Sequence, residues 1–577
     1  MKKKKKEKFK FPKFPKFKKI FDEESRKLGK IDWIIIGFLV LVYGIISFTN
    51  LGTFTNPQTF YKFENVGDDV SVELKDENKD ISILRVYSGP EVGAYDVYVS
   101  SDGSNYEHLM NFEQGMVFSW NDFNLDKNLR YVRIVSTREG GFIGEIQLYD
   151  KYGSKVEMVA VDEKSEVIVD EKDTVPATIS HMNSAYFDEI YFARSAYEYI
   201  HGIPTVEWVH PPLGKLIMTL PIMLFGMCTF AYRLMGNIAG ILMIPAMYSL
   251  GKTIFKNRKW GLLAGLLMMF DCFHFAQTRM ATVDSFLVLF MILSALFMYK
   301  YILLKKDDEL KDKLKYLFLS GLFMGCAITT KWTGFYVALG LAIMFFVDLI
   351  YKNFGKKKEK DKDLVKIILY CVIFFVLIPA LIYMLSYFFF PNVYNYHTNT
   401  ISGFIQQIKD MYGYHSTLEA THPFTSEWYT WPIMEMPVWY YAQDFGGGMR
   451  ATITGIGNPA IWWFGILASI FTFVMAVLKK KKEYWVILLF ILCTWLPYAF
   501  IGRIMFMYHY FPTLPFVMLA IVAFIKFITE KIRNNSIYVF YVAVVILFFT
   551  YFYPAISGMV ASSEYLDTLL WLPHWYF

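Results

Sequence analysis

The stretch "YFDEIYFAR", residues 186–194, places two adjacent carboxylates, Asp188 and Glu189, among aromatic side chains. Seven further positions or stretches also bring acids, bases and aromatics together. They are "VEWVHPPLGK" (206–215), Arg233, "FDCFHFAQTRMATVDSF" (270–286), "TTKWTG" (329–334), "THPFTSEWYTWPIMEMPVWYY" (421–441), "GNPAIWWFG" (457–465) and "GRIMFMYHYFPTLPF" (502–516). These residues supply a carboxylate base, cations for an anionic group, and rings on which a sugar can stack.

This combination favours chemistry at a lipid-linked phosphate. Arg and Lys donate charge-assisted hydrogen bonds to phosphate oxygens. If a sugar is carried on that phosphate, the leaving group needs no protonation, and one carboxylate that takes the proton of an incoming hydroxyl is sufficient. Glycoside hydrolysis would need two carboxylates on opposite sides of one bond, which neighbours in sequence do not readily provide. The residues therefore favour one-step displacement with inversion.

The elements that position these residues are mostly membrane helices. Of the 577 residues, 55% are hydrophobic and 19% aromatic, and long apolar runs recur from residue 34 to 557, which indicates a polytopic membrane protein. The first nineteen residues hold eleven lysines and one glutamate, typical of a cytoplasmic arm near anionic lipid head groups or of a solvated tail, and not of nucleic-acid binding. No HxH or HExxH spacing suggests a metal site.

Charge distribution predicts the topology. Basic clusters mark the cytoplasmic side, whereas residues 50–175 carry 24 acidic and 12 basic side chains and are placed outside. Because that segment lies outside and Lys252 inside, the chain must cross the membrane an odd number of times between them, but two apolar runs, 213–230 and 234–251, intervene. The Pro-containing run 213–230 is therefore predicted to lie in the outer interface and not to cross. About eleven crossings result, with the N-terminus inside and the C-terminus outside. They are 31–50, 234–251, 260–274, 281–303, 316–330, 332–351, 367–388, 459–478, 484–500, 506–526 and 537–557.

A different pattern occupies residues 60–160. Stretches such as "SILRVYS" (82–88) and "RYVRIVS" (130–136) alternate apolar and polar residues between "DG" and "GG" turns, which predicts a small β-sandwich. It resembles discoidin-like, galactose-binding-type sandwiches. A carbohydrate-binding role and a passive role as spacer or assembly surface both remain open.

The motifs "FDEIYFAR", "HPPLGK", "QTRMATVD", "TTKWTG", "HPFTSEWYTWP", "GNPAIWW" and "YHYFPTLPF", in this order, resemble the protein O-mannosyltransferase family. The resemblance implies a GT-C fold and transfer of mannose from polyprenyl phosphate to Ser or Thr of a protein, without a metal and with the lipid-linked sugar as co-substrate. It implies that Asp188 is the catalytic base and that Arg233 lies near the lipid phosphate. A general substrate-binding role carries over to Glu189, His210, Lys215, Arg279, Asp284, Lys331, Trp332, His422, Trp428, Arg503 and His509.

The predicted organisation therefore combines a GT-C membrane body with a β-sandwich inserted in the first extracytoplasmic loop. The segments are a basic arm (1–30), the first crossing (31–50), the sandwich (60–160), a catalytic segment with interfacial helices (175–230), crossings two to seven (231–388), an outer loop (389–456), the last four crossings (457–557) and an outer tail (558–577). The short outer loop suggests a bacterial-type member in the cell membrane. Expected partners are the polyprenyl-phosphate sugar, an acceptor protein and membrane lipids, with a second subunit and the Sec translocon as further candidates, and no nucleic acid.

Two other functions remain open at this point. The same fold and donor could serve a cell-envelope glycan or lipid acceptor, as in related GT-C enzymes. A transporter is a different class, but the sequence shows no charged residues repeated at mid-bilayer positions and no inverted repeat. Individual residues also have ordinary structural explanations; Arg279 and Asp284, for example, could simply pair with each other.

Overall fold

The computed structural model describes residues 26–76, 78–354, 361–388, 392–393 and 396–577. Most of the basic arm predicted at 1–30 lies outside these ranges. Within them the chain forms a helical body and an all-β insert, in the order that the sequence predicts.

Antiparallel helices build the body. They are α1 (Lys30–Phe48), α2 (Glu189–His201), α3 (Leu213–Phe225), α4 (Thr229–Phe255), α5 (Arg258–Met269), α6 (Cys272–Thr278), α7 (Asp284–Ile302), α8 (Leu310–Thr330), α9 (Gly334–Asn353), α10 (Leu364–Val372), α11 (Ile378–Phe388), α12 (Ile401–Thr417), α13 (Pro459–Lys479), α14 (Lys482–Trp495), α15 (Leu514–Ile532), α16 (Ser536–Ser557) and α17 (Ser563–Asp567). A π-helical turn, Ile373–Leu377, joins α10 to α11 into one apolar rod.

Eight spans in the described ranges are long and apolar enough to cross a membrane, and there are nine if α5 and α6, which are bent by 59° at their junction, form one crossing. The two other predicted crossings coincide with α8 and α15, which carry charged residues at one end, among them Lys311 and Lys531. Every predicted crossing thus corresponds to a helix, and the polytopic helical fold is confirmed. The crossing predicted at 506–526 begins later, at Leu514, where Pro515 lies in the first helical turn.

Residues 213–230, which are predicted not to cross the membrane, contain the short helix α3. Its 13 residues are too few to span the hydrocarbon. One face packs against α2 and α4, whereas Met223 and Leu224 on the other face are 68% and 77% exposed. This arrangement agrees with a helix that lies along the outer interface.

A buried ion cluster fixes the start of α1. Asp32 is fully buried; one oxygen lies 2.6 Å from Nζ of Lys252 on α4 and the other 3.0 Å from Nε of Arg258 on α5. The Tyr248 hydroxyl donates to the same carboxylate. Because a buried carboxylate needs such partners, these contacts set the position of α1 against α4 and α5.

The insert is a sandwich of two five-stranded antiparallel sheets. Its strands are β1 (Tyr61–Lys62), β2 (Asp69–Leu74), β3 (Lys79–Ser88), β4 (Ala94–Ser100), β5 (Glu107–Glu113), β6 (Trp120–Leu129), β7 (Tyr131–Ser136), β8 (Phe142–Asp150), β9 (Lys155–Val156) and β10 (Met158–Ala160). One sheet has the order β1-β8-β3-β6, with β9 on β8, and the other β10-β2-β7-β4-β5. Alternate apolar residues such as Val97 and Ile134 fill the space between the sheets, as the period-two pattern predicts.

The described residues of the loop 389–456, which is predicted to lie outside, form several strands and helices. Besides the short β11 (Asn392–Val393), β12 (Tyr396–His397) and helix α12, it contains a hairpin of β13 (Val438–Asp444) and β14 (Met449–Gly455). Strand β15 (Ala561–Ser562), from the segment after α16, pairs with β14. The hairpin lies against the segment that precedes α2, so the two outer loops meet at the same end of the body.

Candidate active site

A strained turn presents Asp188. Phe187 has a φ of +50°, a left-handed conformation that costs a bulky residue about 1–3 kcal/mol unless its surroundings enforce it. The Phe187 ring packs against Tyr440 of β13 at a centroid distance of 4.6 Å. Asp188 follows as the residue that caps α2, half-buried. Its carboxylate accepts no hydrogen bond from any residue in the described ranges, which leaves both oxygens available to a ligand.

The surroundings of Asp188 raise the pKa of its carboxyl group. Burial raises the pKa of Asp188 to about 7; Lys331 acts in the opposite direction, and the carboxylates of Asp284 and Glu207 add to the rise. Lys331 follows α8, and its ammonium lies 2.9 Å from Asp284 at the start of α7. It also lies 5.5 Å from the Tyr508 ring centroid. A general base is most effective when its pKa is near the working pH, which this environment provides.

Glu207 organises the "VEWVHPPLGK" stretch. Its two carboxylate oxygens contact His210 Nδ1, at 2.6 Å, and the Lys215 ammonium. Lys215 is fully buried and also donates to the backbone carbonyls of Glu207 and His210, so it holds this loop together. Burial would raise the pKa of Glu207, but Lys215 and His210 outweigh it and lower that pKa to about 2. Glu207 is therefore an anion that orients the His210 imidazole.

A polar cavity of about 630 Å³ opens beside Lys331 and His210, and Asp188, Glu207 and Lys215 are not among the residues that line it. His210, Lys331, Trp332, Arg503 and His509, five of the predicted substrate-binding residues, line it. The Arg503 guanidinium forms no hydrogen bond or ion pair with the residues that the structure describes. Lys331 and Arg503 are thus the cations of this cavity with donors that a phosphate can use.

An apolar groove of about 950 Å³ adjoins the polar cavity. Residues of α8, α9, α10 and α11 line it, and Trp332 and Phe335 belong to the walls of both spaces. The Trp332 indole donates a hydrogen bond of 3.0 Å to the Tyr383 hydroxyl, which fixes the ring at the junction. A molecule with a charged head and a long apolar tail fits the two spaces together.

Arg233, which the family resemblance places near the lipid phosphate, has its side chain fully engaged within the protein. Its guanidinium pairs with Glu189 through two hydrogen bonds of 2.7 Å, and it donates to the carbonyls of Leu51, His181 and Ser184. Both partners of the ion pair are buried, at 1% and 0% exposure. Because every N–H group of Arg233 is engaged, we assign Arg233 and Glu189 to the scaffold of the site and not to substrate binding.

Glu189 also ties the scaffold to the next outer turn. Its oxygens accept hydrogen bonds from the backbone N–H groups of Tyr186 and Ala281. Arg279, in the same turn, donates to the carbonyls of Ser47, Thr49 and Asn50 and not to Asp284. A substrate-binding role for Arg279 therefore has no structural support, and neither does its pairing with Asp284. The contacts of Arg279 and Ala281 hold this turn in a position where the Asp284 carboxylate accepts a hydrogen bond from the Lys331 ammonium.

His422 and Trp428 are also among the predicted residues that do not line the cavity. His422 is exposed, and its ring packs against Phe506 at 5.1 Å. Trp428 packs against Trp495 and is absent from the cavity wall. Both lie in the loop between α12 and β13, which lines the cavity with Leu418 and Glu419 and not with these two side chains.

Sequence reasoning missed Glu207 and His415. Glu207 stands three residues before His210 in a stretch that is not helical, so spacing alone gives no sign that the two side chains meet. His415, on α12, lines the cavity, and its Nε2 lies 2.8 Å from the carbonyl oxygen of Val209. A histidine 205 positions away from His210 in sequence carries no local signal of such proximity. Among the described residues, no group of three or more His, Cys, Asp or Glu side chains could hold a metal ion.

The chain is similar in sequence to known proteins. Residues 222–396 match the family described as dolichyl-phosphate-mannose-protein mannosyltransferase, and residues 400–575 match the C-terminal four-transmembrane region of protein O-mannosyltransferase. A polyprenol-phosphate-mannose–protein mannosyltransferase of Mycolicibacterium smegmatis is 26% identical over 454 residues, 67% of this chain and 87% of that protein. A protein of the same description from Corynebacterium glutamicum is 25% identical over 64% of this chain and 81% of its own length.

The fold agrees with these relationships. The S. cerevisiae protein O-mannosyltransferase Pmt1-Pmt2 complex bound to the sugar donor aligns with a TM-score of 0.59, at 14% identity, over 68% of this chain and 89% of the matched chain. The helical body thus has the GT-C architecture that the motifs imply. Since the two sequence matches together take in more than half of its residues, this chain belongs to the protein O-mannosyltransferase family.

Proposed function

We propose that this membrane protein transfers mannose, or another hexose, from polyprenyl phosphate to Ser or Thr hydroxyls of secreted or membrane proteins. The observation that carries the proposal is the half-buried Asp188, whose carboxylate has no partner in the described ranges and whose pKa is raised to about 7 beside Lys331. Its family membership and the names of its relatives supply the sugar and the type of acceptor.

The donor occupies both spaces in this proposal. The phosphate lies between Lys331 and Arg503 in the polar cavity, where charge-assisted hydrogen bonds favour it. The polyprenyl chain follows the apolar groove past Trp332 and Phe335. The hexose then lies near Asp188, and the acceptor hydroxyl approaches from the outer side of the membrane.

The reaction is one displacement. The hydroxyl oxygen of Ser or Thr attacks the anomeric carbon, and its proton passes to Asp188. The bond between that carbon and the phosphate oxygen breaks, and its electron pair leaves with polyprenyl phosphate. Lys331 and Arg503 stabilise the charge that develops on the phosphate, which requires no proton from an acid. A single attack from the face opposite the leaving group inverts the anomeric configuration, and no step passes through a metal.

We also propose that the chain lies in the cell membrane with its N-terminus in the cytoplasm. Lys252, Arg258, Lys313, Lys352 and Lys482 lie at the helix ends opposite the candidate site, as expected if those ends face the cytoplasm. Pairing with a second subunit and proximity to the Sec translocon stay predictions.

The test uses purified protein, labelled polyprenyl-phosphate-mannose and a Ser/Thr peptide. Asp188→Asn should lower the transfer rate by about 100-fold or more, the scale of a missing general base. Asp444→Asn, a change at an exposed carboxylate of the β13–β14 hairpin, is the matched control and should leave the rate unchanged. If Asp188→Asn transfers the sugar at the wild-type rate, Asp188 is not the general base and the proposed mechanism is wrong. Transfer to an envelope glycan but to no peptide would change the acceptor class.

A further inference from the structure

The inserted β-sandwich contacts the candidate catalytic segment through side-chain packing and hydrogen bonds, in addition to being continuous with it along the chain. Its own core consists of residues between the two sheets, but Val117, Phe118 and Trp120 pack instead into the core of the helical body. We call residues 117–120 the buttress loop. All three of these side chains are buried, with Phe118 at 0% exposure.

The buttress loop binds the chain just before Asp188. The backbone N–H of Ala185 donates to the Phe118 carbonyl at 3.1 Å, and the Ser119 hydroxyl donates to the Ala185 carbonyl at 3.2 Å. The N–H of Trp120 donates to the Ser184 hydroxyl at 3.0 Å. Residues 184 and 185 are thereby fixed two to three positions before the strained Phe187.

The insert also contacts the chain after Asp188. The Phe118 ring packs against Tyr197 of α2 at a centroid distance of 5.5 Å, and Phe60 completes the cluster. Arg194 of α2 lies 3.8 Å from Glu91, in the turn after β3. The sandwich therefore holds both flanks of the turn, the segment that enters it and the helix that leaves it.

We propose that the β-sandwich is a positioning element of the catalytic site, in which the buttress loop holds the Phe187–Asp188 turn in its productive geometry. This inference rests on the proposed role of Asp188 as the base. The left-handed Phe187 requires such support, because a strained conformation persists only where neighbouring structure enforces it. The opposite side of the turn is held by the Arg233–Glu189 pair, and the Ser184 carbonyl accepts a bond from Arg233.

The double variant Ser119→Ala/Ser184→Ala tests the inference. It removes the two hydroxyl-dependent bonds to residues 184 and 185 and keeps the apolar packing of Phe118 and Trp120. We expect kcat to fall about 10-fold or more, since small misplacements of a catalytic group cost up to about 100-fold. The donor KM should stay within about twofold, because Lys331 and Arg503 are untouched.

A second readout separates positioning from general destabilisation. If the turn relaxes and water reaches Asp188, the burial that raises its pKa weakens, and the acid limb of the pH–rate profile should move to lower pH. A variant that is only less stable would keep the acid limb of its pH–rate profile at the wild-type pH. The Ser119→Thr/Ser184→Thr variant, which restores both hydroxyls, should recover most of kcat. Tyr152→Ala, at an 82% exposed position of the sandwich, should behave like the wild type.

The outcomes are distinct. If the wild type itself transfers no mannose, the proposed function fails. If the wild type is active and the double alanine variant matches it in kcat and pH profile, the sandwich does not position Asp188 and the inference is overturned. Should that variant not fold, Phe118→Leu, which keeps an apolar side chain but loses the ring contact with Tyr197, takes its place with the same readouts and the same criteria.

Discussion

Replacing Arg233 by methionine is expected to destabilise the protein and not to weaken donor binding selectively. The change removes a guanidinium with bonds to one carboxylate and three carbonyls and leaves the Glu189 side chain, at 0% exposure, without its cationic partner. Among the described residues, the backbone N–H groups of Tyr186 and Ala281 would be its remaining donors. Breaking a buried ion pair in this way costs about 3–5 kcal/mol.

Arg503→Met is the matched comparison. Arg503 lines the polar cavity and has no ion-pair partner in the described part of the chain, so its loss leaves no charge unpaired in the free enzyme. One charge-assisted contact to phosphate contributes about 1.5–3 kcal/mol, which corresponds to a rise of about 10- to 150-fold in the donor KM. The free energy of unfolding should change little.

The assay combines two measurements on each purified variant in the same detergent. Denaturant unfolding followed by tryptophan fluorescence reports stability, and initial rates at varied polyprenyl-phosphate-mannose give kcat and KM for the folded fraction. The double variant Arg233→Met/Glu189→Leu should recover much of the lost stability, because neither charge of this buried pair remains. If Arg233→Met keeps wild-type stability and raises the donor KM, Arg233 contacts the phosphate and our assignment of it to the scaffold is wrong.

Three other predictions follow from the same geometry. The transfer rate should rise with pH through about 7, because Asp188 acts as a base only when deprotonated and burial raises its pKa to that value; a profile flat from about pH 5 to 8 would contradict this. Lys331→Met should move the acid limb to higher pH and Asp284→Asn to lower pH, since Lys331 lowers the pKa of Asp188 and Asp284 raises it; shifts in the same direction would refute the electrostatic argument. Ala338→Trp, in the wall of the apolar groove, should slow transfer from long polyprenyl donors more than transfer from short-chain analogues. Leu339→Trp, outside that wall and 49% exposed, is the control and should show no such difference. Equal kinetics for both chain lengths in Ala338→Trp would place the lipid elsewhere.

The fold could be predicted largely from local patterns. An apolar run of about 20 residues marks a membrane helix, and period-two alternation marks a half-buried strand. The helices and the sandwich therefore lie close to their predicted positions. The main displacement is α15, which begins at Leu514 because the Pro-rich approach to it is not helical. Lys331, Arg503 and His210, each predicted to bind substrate, line one cavity in the structure, because the helix ends that carry their motifs meet at one end of the bundle.

The sequence by itself determined which residues could do chemistry and on which end of the bundle they gather, because residue type and helix periodicity are local properties. Only the tertiary structure decided their partners. Arg233 lies 44 positions from Glu189, and Lys331 lies 47 from Asp284, so packing and not spacing selects those pairs. Packing likewise leaves Asp188 without a partner in the described ranges, whereas the Glu189 carboxylate accepts four hydrogen bonds there. It also brings a loop of the sandwich against the turn that carries Asp188. A contact between distant residues depends on how whole elements dock, and no short stretch of sequence contains that information.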